Sequence, residues 1–77
     1  MKNVRIIALR EARGLTQGKL AKEVGMTQSM ISHVEAGRKE PSKKYKINLA
    51  RFFDVTVEWL FYEEIDDLKS LDNTVSA

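Results

Sequence analysis

Residues 16–37 carry a pattern of capping, apolar and glycine residues that permits few backbone arrangements. Thr16 and Thr27 are each suited to cap a helix, because a threonine oxygen accepts a hydrogen bond from the first turn. Gly25 lies between them and can adopt the positive φ that a sharp turn requires. Two short helices joined by a tight turn at residues 24–26 are therefore predicted.

The outer face of the second of these helices carries small and amide side chains. Ile31 and Val34 have the spacing of an inward face. The outward positions are then Gln28, Ser29, Ser32 and His33. Such side chains add little stability on an exposed helix, but they can hydrogen-bond base edges in the major groove of DNA. A lone surface histidine is otherwise simply solvated, and both interpretations of His33 remain open.

The flanking sequence predicts three further helices. The first runs over about residues 3–13 and ends at Gly14. The fourth, after a polar loop with Pro41, runs over about residues 42–53, and the fifth starts near Val57 behind Asp54 and a Thr56 cap. The residues predicted to be buried are Ile6, Leu9 and Ala12 in the first helix, Leu20, Ala21 and Val24 in the second, and Ile47, Ala50 and Phe53 in the fourth, while Val57, Leu60 and Phe61 begin the fifth. Apolar residues continue at Ile65, Leu68 and Leu71, so a short sixth helix is an alternative to a longer fifth.

Charge divides the chain in two. Residues 1–62 hold twelve Lys/Arg and six Asp/Glu, whereas residues 63–77 hold one lysine and five acidic residues. The first part predicts a surface for a polyanion, with ordinary solvation as the alternative. We therefore expect a domain over residues 1–62 and an acidic, partly helical extension over residues 63–77.

Composition argues against several other classes of function. The chain has no cysteine and one histidine, so thiolate and histidine-cluster metal sites are excluded, and its serines have no neighbouring base. The acidic run at residues 63–67 lacks the spacing of a calcium loop, and a solvated helix face explains it. No apolar run approaches the roughly 18 residues of a membrane span. We expect a cytoplasmic protein that is not an enzyme, with no cofactor, no metal and no evident small-molecule ligand.

With both helix faces placed, the sequence resembles the phage-repressor and Cro-like (Xre-type) helix-turn-helix family over about residues 4–62. Each single match is weak, but the whole set at fixed spacing and without gaps is specific. The matching residues are Gly14-Leu15-Thr16-Gln17, Leu20-Ala21, Val24-Gly25, Thr27-Gln28, Ile31-Ser32, Glu35-Ala36-Gly37-Arg38, Pro41-Ser42, Leu49-Ala50, Val55 and Leu60. Gly18 and Asp54 depart from the family pattern, which usually has a polar helix former and a glycine there.

The resemblance implies an all-α, compact five-helix domain that binds double-stranded DNA at a palindromic operator as a homodimer. The second helix of the motif would lie in the major groove. Base contacts would come from Gln28, Ser29, Ser32 and His33, and phosphate contacts from Gln17, Thr27, Arg38, Lys39, Lys43 and Lys44. Arg10 and Glu35 match a structural ion pair of the family, and Met30 could face either the groove or the protein.

Two questions stay open at this level. Trp59, Phe61, Ile65 and Leu68 could close the core of the monomer, but we expect them to form a dimer interface, since a small domain has little core left here. The DNA-binding role could be that of a repressor, an antitoxin or a restriction–modification controller. A helical adaptor that binds a protein partner is the alternative from another class.

Overall fold

The computed structural model of the chain describes residues 2–62, and this part folds into five helices without strands. They are α1 (Val4–Ala12), α2 (Gln17–Val24), α3 (Gln28–Glu35), α4 (Lys43–Phe53) and a short π-helical turn, α5 (Glu58–Tyr62). The all-α, five-helix prediction is confirmed. The predicted sixth helix and the acidic extension lie outside the described residues.

Helix starts follow the predicted capping chemistry in all but one case. The side-chain oxygens of Thr16, Thr27 and Thr56 accept hydrogen bonds of 3.0–3.1 Å from backbone N–H groups three residues later. Asn3 does the same for α1 through Oδ1. Ser42 occupies the N-cap position of α4, at the predicted start of this helix, but its side chain makes no such bond.

Helix ends use the left-handed backbone region. Gly25 has φ +76° and ends α2, and its successor Met26 donates a 2.8 Å backbone bond to Ala21. Asp54 closes α4 at φ +59°, the one non-glycine residue with positive φ in the described part. Aspartate tolerates this region better than most residues because its short side chain can bond locally. The sharp turn between α2 and α3 sets the angle at which α3 projects.

The core lies where α2, α3 and α4 meet, with α1 and α5 closing its open side. It consists of Ile6, Leu20, Ala21, Val24, Ile31, Val34, Leu49, Ala50, Phe53 and Leu60, each at most 4 % exposed. Ile6, Leu20, Ile31 and Leu49 are completely buried. Burying one such side chain stabilises the fold by about 1.5–3 kcal/mol.

Three predicted core positions differ from the structure. Ala12, the last residue of α1, is exposed, and Leu9 is half-buried where it packs against the edge of the core. Ile47 is half-buried, whereas Leu49 is completely buried. The inward face of α4 is thus rotated from the one predicted.

A lysine occupies part of that rotated face. Lys46 is 6 % exposed, and its ammonium group donates hydrogen bonds to Glu40 and, at 2.7 Å, to the Tyr62 hydroxyl. Nζ of Lys46 also lies 4.6 Å from the centre of the Tyr62 ring. The hydrogen bond to Glu40, then that to Tyr62, raises the pKa of Lys46. A buried cation is tolerated here because it is paired with a carboxylate and hydrogen-bonded to a hydroxyl.

Candidate nucleic-acid interface

The N-terminal turn of α3 presents two polar side chains to solvent. Gln28 and Ser29 are both exposed, at the first two positions after the Thr27 cap. Behind them Ile31 and Val34 are buried and fix the helix to α2. The structure therefore confirms the predicted division of α3 into an inner and an outer face, while the base-reading role of the outer face stays a prediction.

Gly18 in α2 lies directly beside the Gln28 side chain. A Cβ atom at Gly18 would lie 3.6 Å from Oε1 of Gln28 and 3.9 Å from Oγ1 of Thr16. The first turns of α2 and α3 therefore meet at this point, and the amide of Gln28 rests where a longer residue at position 18 would stand. In the sequence, Gly18 stands out only as a departure from the family pattern.

The other two predicted base readers are less open. Ser32 and His33 are half-buried in the middle and last turn of α3. The backbone N–H groups of Arg38 and Lys39 donate to the carbonyl oxygen of His33 at 2.9 and 3.3 Å. The Arg38 side chain adds a 3.3 Å bond from Nε to Nδ1 of His33. Sequence reasoning placed these two residues in separate roles and missed this connection.

Four exposed cations follow α3 in the chain. Arg38 and Lys39 follow α3 directly, and Lys43 and Lys44 begin α4 after the buried Pro41. Lys44 lies over the ring of its neighbour Tyr45, with Nζ 5.8 Å from the ring centre. The four predicted phosphate-contacting cations are thus present on the surface.

Thr27 and Gln17, the two uncharged residues predicted to contact phosphate, already have partners within the fold. The Thr27 hydroxyl accepts from the backbone N–H of Met30 at 3.1 Å. The Gln17 amide nitrogen donates to Glu35 at 3.0 Å. An amide carries two N–H groups and a hydroxyl can still donate, so each retains one donor. Their phosphate contacts stay predictions.

Arg10 and Glu35 form the structural ion pair that was predicted. Nε of Arg10 lies 2.7 Å from Oε2 of Glu35 and its Nη2 lies 3.2 Å from Oε1, a two-point contact. Nη1 donates to the carbonyl of Leu15 at 2.8 Å. The hydrogen bond with Glu35 raises the pKa of Arg10. Since Glu35 is 4 % exposed, this pair attaches the end of α3 to α1 inside the protein.

Met30 and the aromatic residues of α5 pack against the core. Met30, Trp59 and Phe61 are all half-buried there. The Arg5 guanidinium lies 4.5 Å from the centre of the Trp59 ring and donates to the Trp59 carbonyl. The dimer interface predicted at Trp59 and Phe61 stays a prediction, and Ile65 and Leu68 lie outside the described residues.

Over residues 2–62, no group of three or more His, Asp or Glu side chains is placed to hold a metal ion. No helix in the same part of the chain is both long and apolar enough to cross a membrane.

Comparison with known proteins supports the interpretation of this motif. Residues 6–60 match the family described as helix-turn-helix. An uncharacterised HTH-type transcriptional regulator of Methanocaldococcus jannaschii is 38% identical over 58 residues, which are 75% of this chain and 88% of that protein.

Two solved structures are similar as well. The restriction–modification controller protein C.AhdI of Aeromonas hydrophila has TM-score 0.66 and 35% identity over 74% of this chain and 86% of that one. PlcR of Bacillus thuringiensis, in complex with the peptide PapR7 and DNA, has TM-score 0.69 and 28% identity over 96% of this chain and 28% of that one.

The capped α2–turn–α3 unit, the exposed first turn of α3 and a family match over most of the chain agree with one another. The chain therefore belongs to the Cro/C1-type helix-turn-helix family of DNA-binding transcriptional regulators.

Proposed function

We propose that this protein represses transcription as a symmetric dimer that inserts α3 of each protomer into the major groove of a palindromic operator. The observation that carries the proposal is the first turn of α3, where Gln28 and Ser29 are exposed on a helix whose opposite face is buried. B-form DNA admits one α-helix in its major groove. A helix held in this way can enter the groove without unfolding any core contact.

Base reading is assigned to the outer face of α3. A glutamine amide can bond N6 and N7 of adenine together, and Gln28 is exposed in the first turn of α3 for that contact. Ser29 and Ser32 can each donate to or accept from a base edge, and His33 adds a ring nitrogen. Met30 is half-buried, so any contact with a thymine methyl would come from the tip of its side chain.

Phosphate contacts are assigned to both sides of α3. On one side lie the first turn of α2, with Gln17, and the Thr27 cap. On the other lie the exposed cations Arg38, Lys39, Lys43 and Lys44. Two sets of backbone contacts that bracket a helix fix its register in the groove. The structurally similar PlcR was solved in complex with DNA, which supports DNA as the ligand of this fold.

Dimerisation is assigned to α5, which carries the predicted interface residues Trp59 and Phe61, and to the adjacent face of α4. A groove of about 600 Å³ lies between them, and its apolar lining includes Ile47, Val57 and Tyr62. Tyr62 lies beside this groove and is 58 % exposed. A second copy would cover this surface, and binding to a palindromic operator requires the dimer to place its two α3 helices about 34 Å apart, one helical turn.

The related roles of antitoxin and restriction–modification controller use the same DNA-binding chemistry. Similarity to C.AhdI gives only general support for the controller role, because the similarity is one of the DNA-binding fold, which all these roles share. The proposed geometry favours repression, since a dimer bound over a promoter blocks RNA polymerase. Activation would require a further surface that recruits the polymerase.

The test is selection of bound fragments from random duplex DNA, followed by binding measurements with the Gln28→Ala variant. We expect a palindromic motif and a loss of specific binding of about 5- to 150-fold in the variant, with weak binding to random DNA retained. Glu23→Ala, at an exposed position of α2, is the matched control. Absence of an enriched motif would instead favour a protein-binding adaptor, and equal weakening on specific and random DNA would reject base reading by Gln28.

A further inference from the structure

His33 and Arg38 are connected through both backbone and side chain. The backbone N–H of Arg38 donates to the His33 carbonyl at 2.9 Å, and its Nε donates to Nδ1 of the imidazole at 3.3 Å. Gly37, at φ +77°, turns the chain back so that both bonds can form. The backbone bond already holds the two residues side by side, so forming the side-chain bond costs little additional conformational entropy.

The side-chain bond determines which ring nitrogen carries the proton. A neutral imidazole has one N–H, and arginine can only donate. Nδ1 must therefore be the acceptor in this contact, which leaves the proton on Nε2. Nε2 is the nitrogen further from the backbone, so it is the one that a groove-facing histidine presents to DNA.

We propose that Arg38 is a positioning residue that holds His33 as an Nε2–H donor, and that His33 thereby selects guanine over cytosine in the operator. Guanine presents two acceptors, O6 and N7, in the major groove, whereas cytosine presents the N4 amino donor. This inference rests on the proposed function, because it requires α3 to lie in the groove.

If Arg38 only contacted a phosphate, its role would depend on its positive charge and not on its Nε–H group. Arg38→Lys keeps the positive charge but removes the Nε–H that reaches His33. A role limited to phosphate would tolerate that change, apart from a uniform change in affinity. His33→Gln is the complementary variant, because its amide keeps an N–H donor at a similar reach, while its acceptor oxygen lies one bond further from the backbone than Nδ1.

The connection can be tested without DNA, since His33 is the only histidine in the chain. Long-range ¹H–¹⁵N spectra of the full-length protein at about pH 8.5, where neutral imidazole is observed, report which nitrogen is protonated and whether the other accepts a bond. We expect a protonated Nε2 and a shifted Nδ1 signal that changes in Arg38→Lys but not in Arg51→Lys, the same substitution at an exposed position of α4. A proton on Nδ1, or identical ring signals in the wild type and Arg38→Lys, would overturn the proposal.

The specificity is tested on operators that differ by a G·C to C·G exchange at each base pair in turn. We expect the wild type to prefer guanine at one position and Arg38→Lys to lower that preference about three- to tenfold, the effect of one hydrogen bond. In a His33→Gln background the same arginine substitution should leave the preference unchanged.

The two measurements separate this inference from the proposed function. If the ring signals respond to Arg38→Lys but the guanine preference does not, base selection by His33 is rejected while operator binding stands. If the wild type has no sequence preference at all, the proposed function fails, and the assignment of His33 as a base reader fails with it.

Discussion

The ion pair between Arg10 and Glu35 gives the most direct test of what holds α3 in place. The substitution is Glu35→Leu, which removes the acceptor of three hydrogen bonds, two from Arg10 and one from Gln17. The side chains of Arg10 and Glu35 are 13 % and 5 % exposed, so the guanidinium would stay largely buried without a counter-charge. Breaking one side of such a pair costs about 3–5 kcal/mol.

That cost is large for a chain of 77 residues. At about 0.05–0.15 kcal/mol per residue, the whole domain is stable by about 4–12 kcal/mol. Glu35→Leu should therefore remove about a quarter of the free energy of unfolding or more. Arg10→Met should be similar in size, since it leaves the carboxylate buried beside an apolar side chain.

The double variant Arg10→Met/Glu35→Leu separates the pair from its parts. Replacing both charges with apolar side chains leaves only the Leu15 carbonyl and the Gln17 amide without their partners, a cost of about 1 kcal/mol each. We expect the double variant to be at least as stable as either single variant, which gives a coupling energy of about 3 kcal/mol or more.

Urea unfolding followed by circular dichroism measures all four proteins, with sucrose added so that the weakest keeps a native baseline. Glu23→Leu, at an exposed position of α2, is the control and should change stability by less than about 0.5 kcal/mol. Single costs below about 1 kcal/mol that add in the double variant would show that the pair behaves as a surface contact, and would refute the reasoning.

Three further predictions concern other parts of the molecule. Gly18→Ala should raise the free energy of unfolding by about 1 kcal/mol in thermal unfolding, because Gly18 is helical and a Cβ would meet Gln28 only at ordinary contact distance; a lower melting temperature would contradict this. Lys44→Gln should lower the salt-dependence slope of DNA binding by about one unit per protomer in titrations at several salt concentrations, whereas Lys22→Gln on α2 should not. Because its folded-state pKa is raised from the ordinary 10.5, Lys46 should stabilise the protein below that pH and lose this effect as pH rises through the folded-state value. The stability advantage of the wild type over Lys46→Met in urea should therefore shrink above about pH 10.5. An advantage that grows above this pH would show that Glu40 and Tyr62 do not stabilise the charged form of Lys46.

The sequence predicted the local structure of the motif well, because its signals are local. Thr16 and Thr27 bond to N–H groups three residues away, and Gly25 needs only its own backbone freedom. Ile47 was predicted to be buried because it lies three residues before Ala50, but in the structure Leu49 is completely buried and Ile47 only half-buried. The difference comes from how α4 rotates against its neighbours, which periodicity in an 11-residue helix does not determine.

The features that were missed depend on long-range or non-periodic contacts. Lys46 is buried only because Glu40 and Tyr62, from two other segments, provide its partners. The bond between Arg38 and His33 requires the chain to reverse at Gly37, and no spacing rule connects a loop arginine to a helix histidine. The importance of Gly18 likewise appears only when α2 and α3 are placed side by side.

The contacts that fix α3 have a consequence for how new DNA specificities can arise. The helix is held by Ile31, Val34 and Glu35, none of which is exposed. Gln28 and Ser29 contribute nothing to the core, so substitutions there remove no buried contact. Under the proposed function, a change of operator can therefore occur by exchange of these surface residues at almost constant stability, because the core contacts that hold α3 are kept.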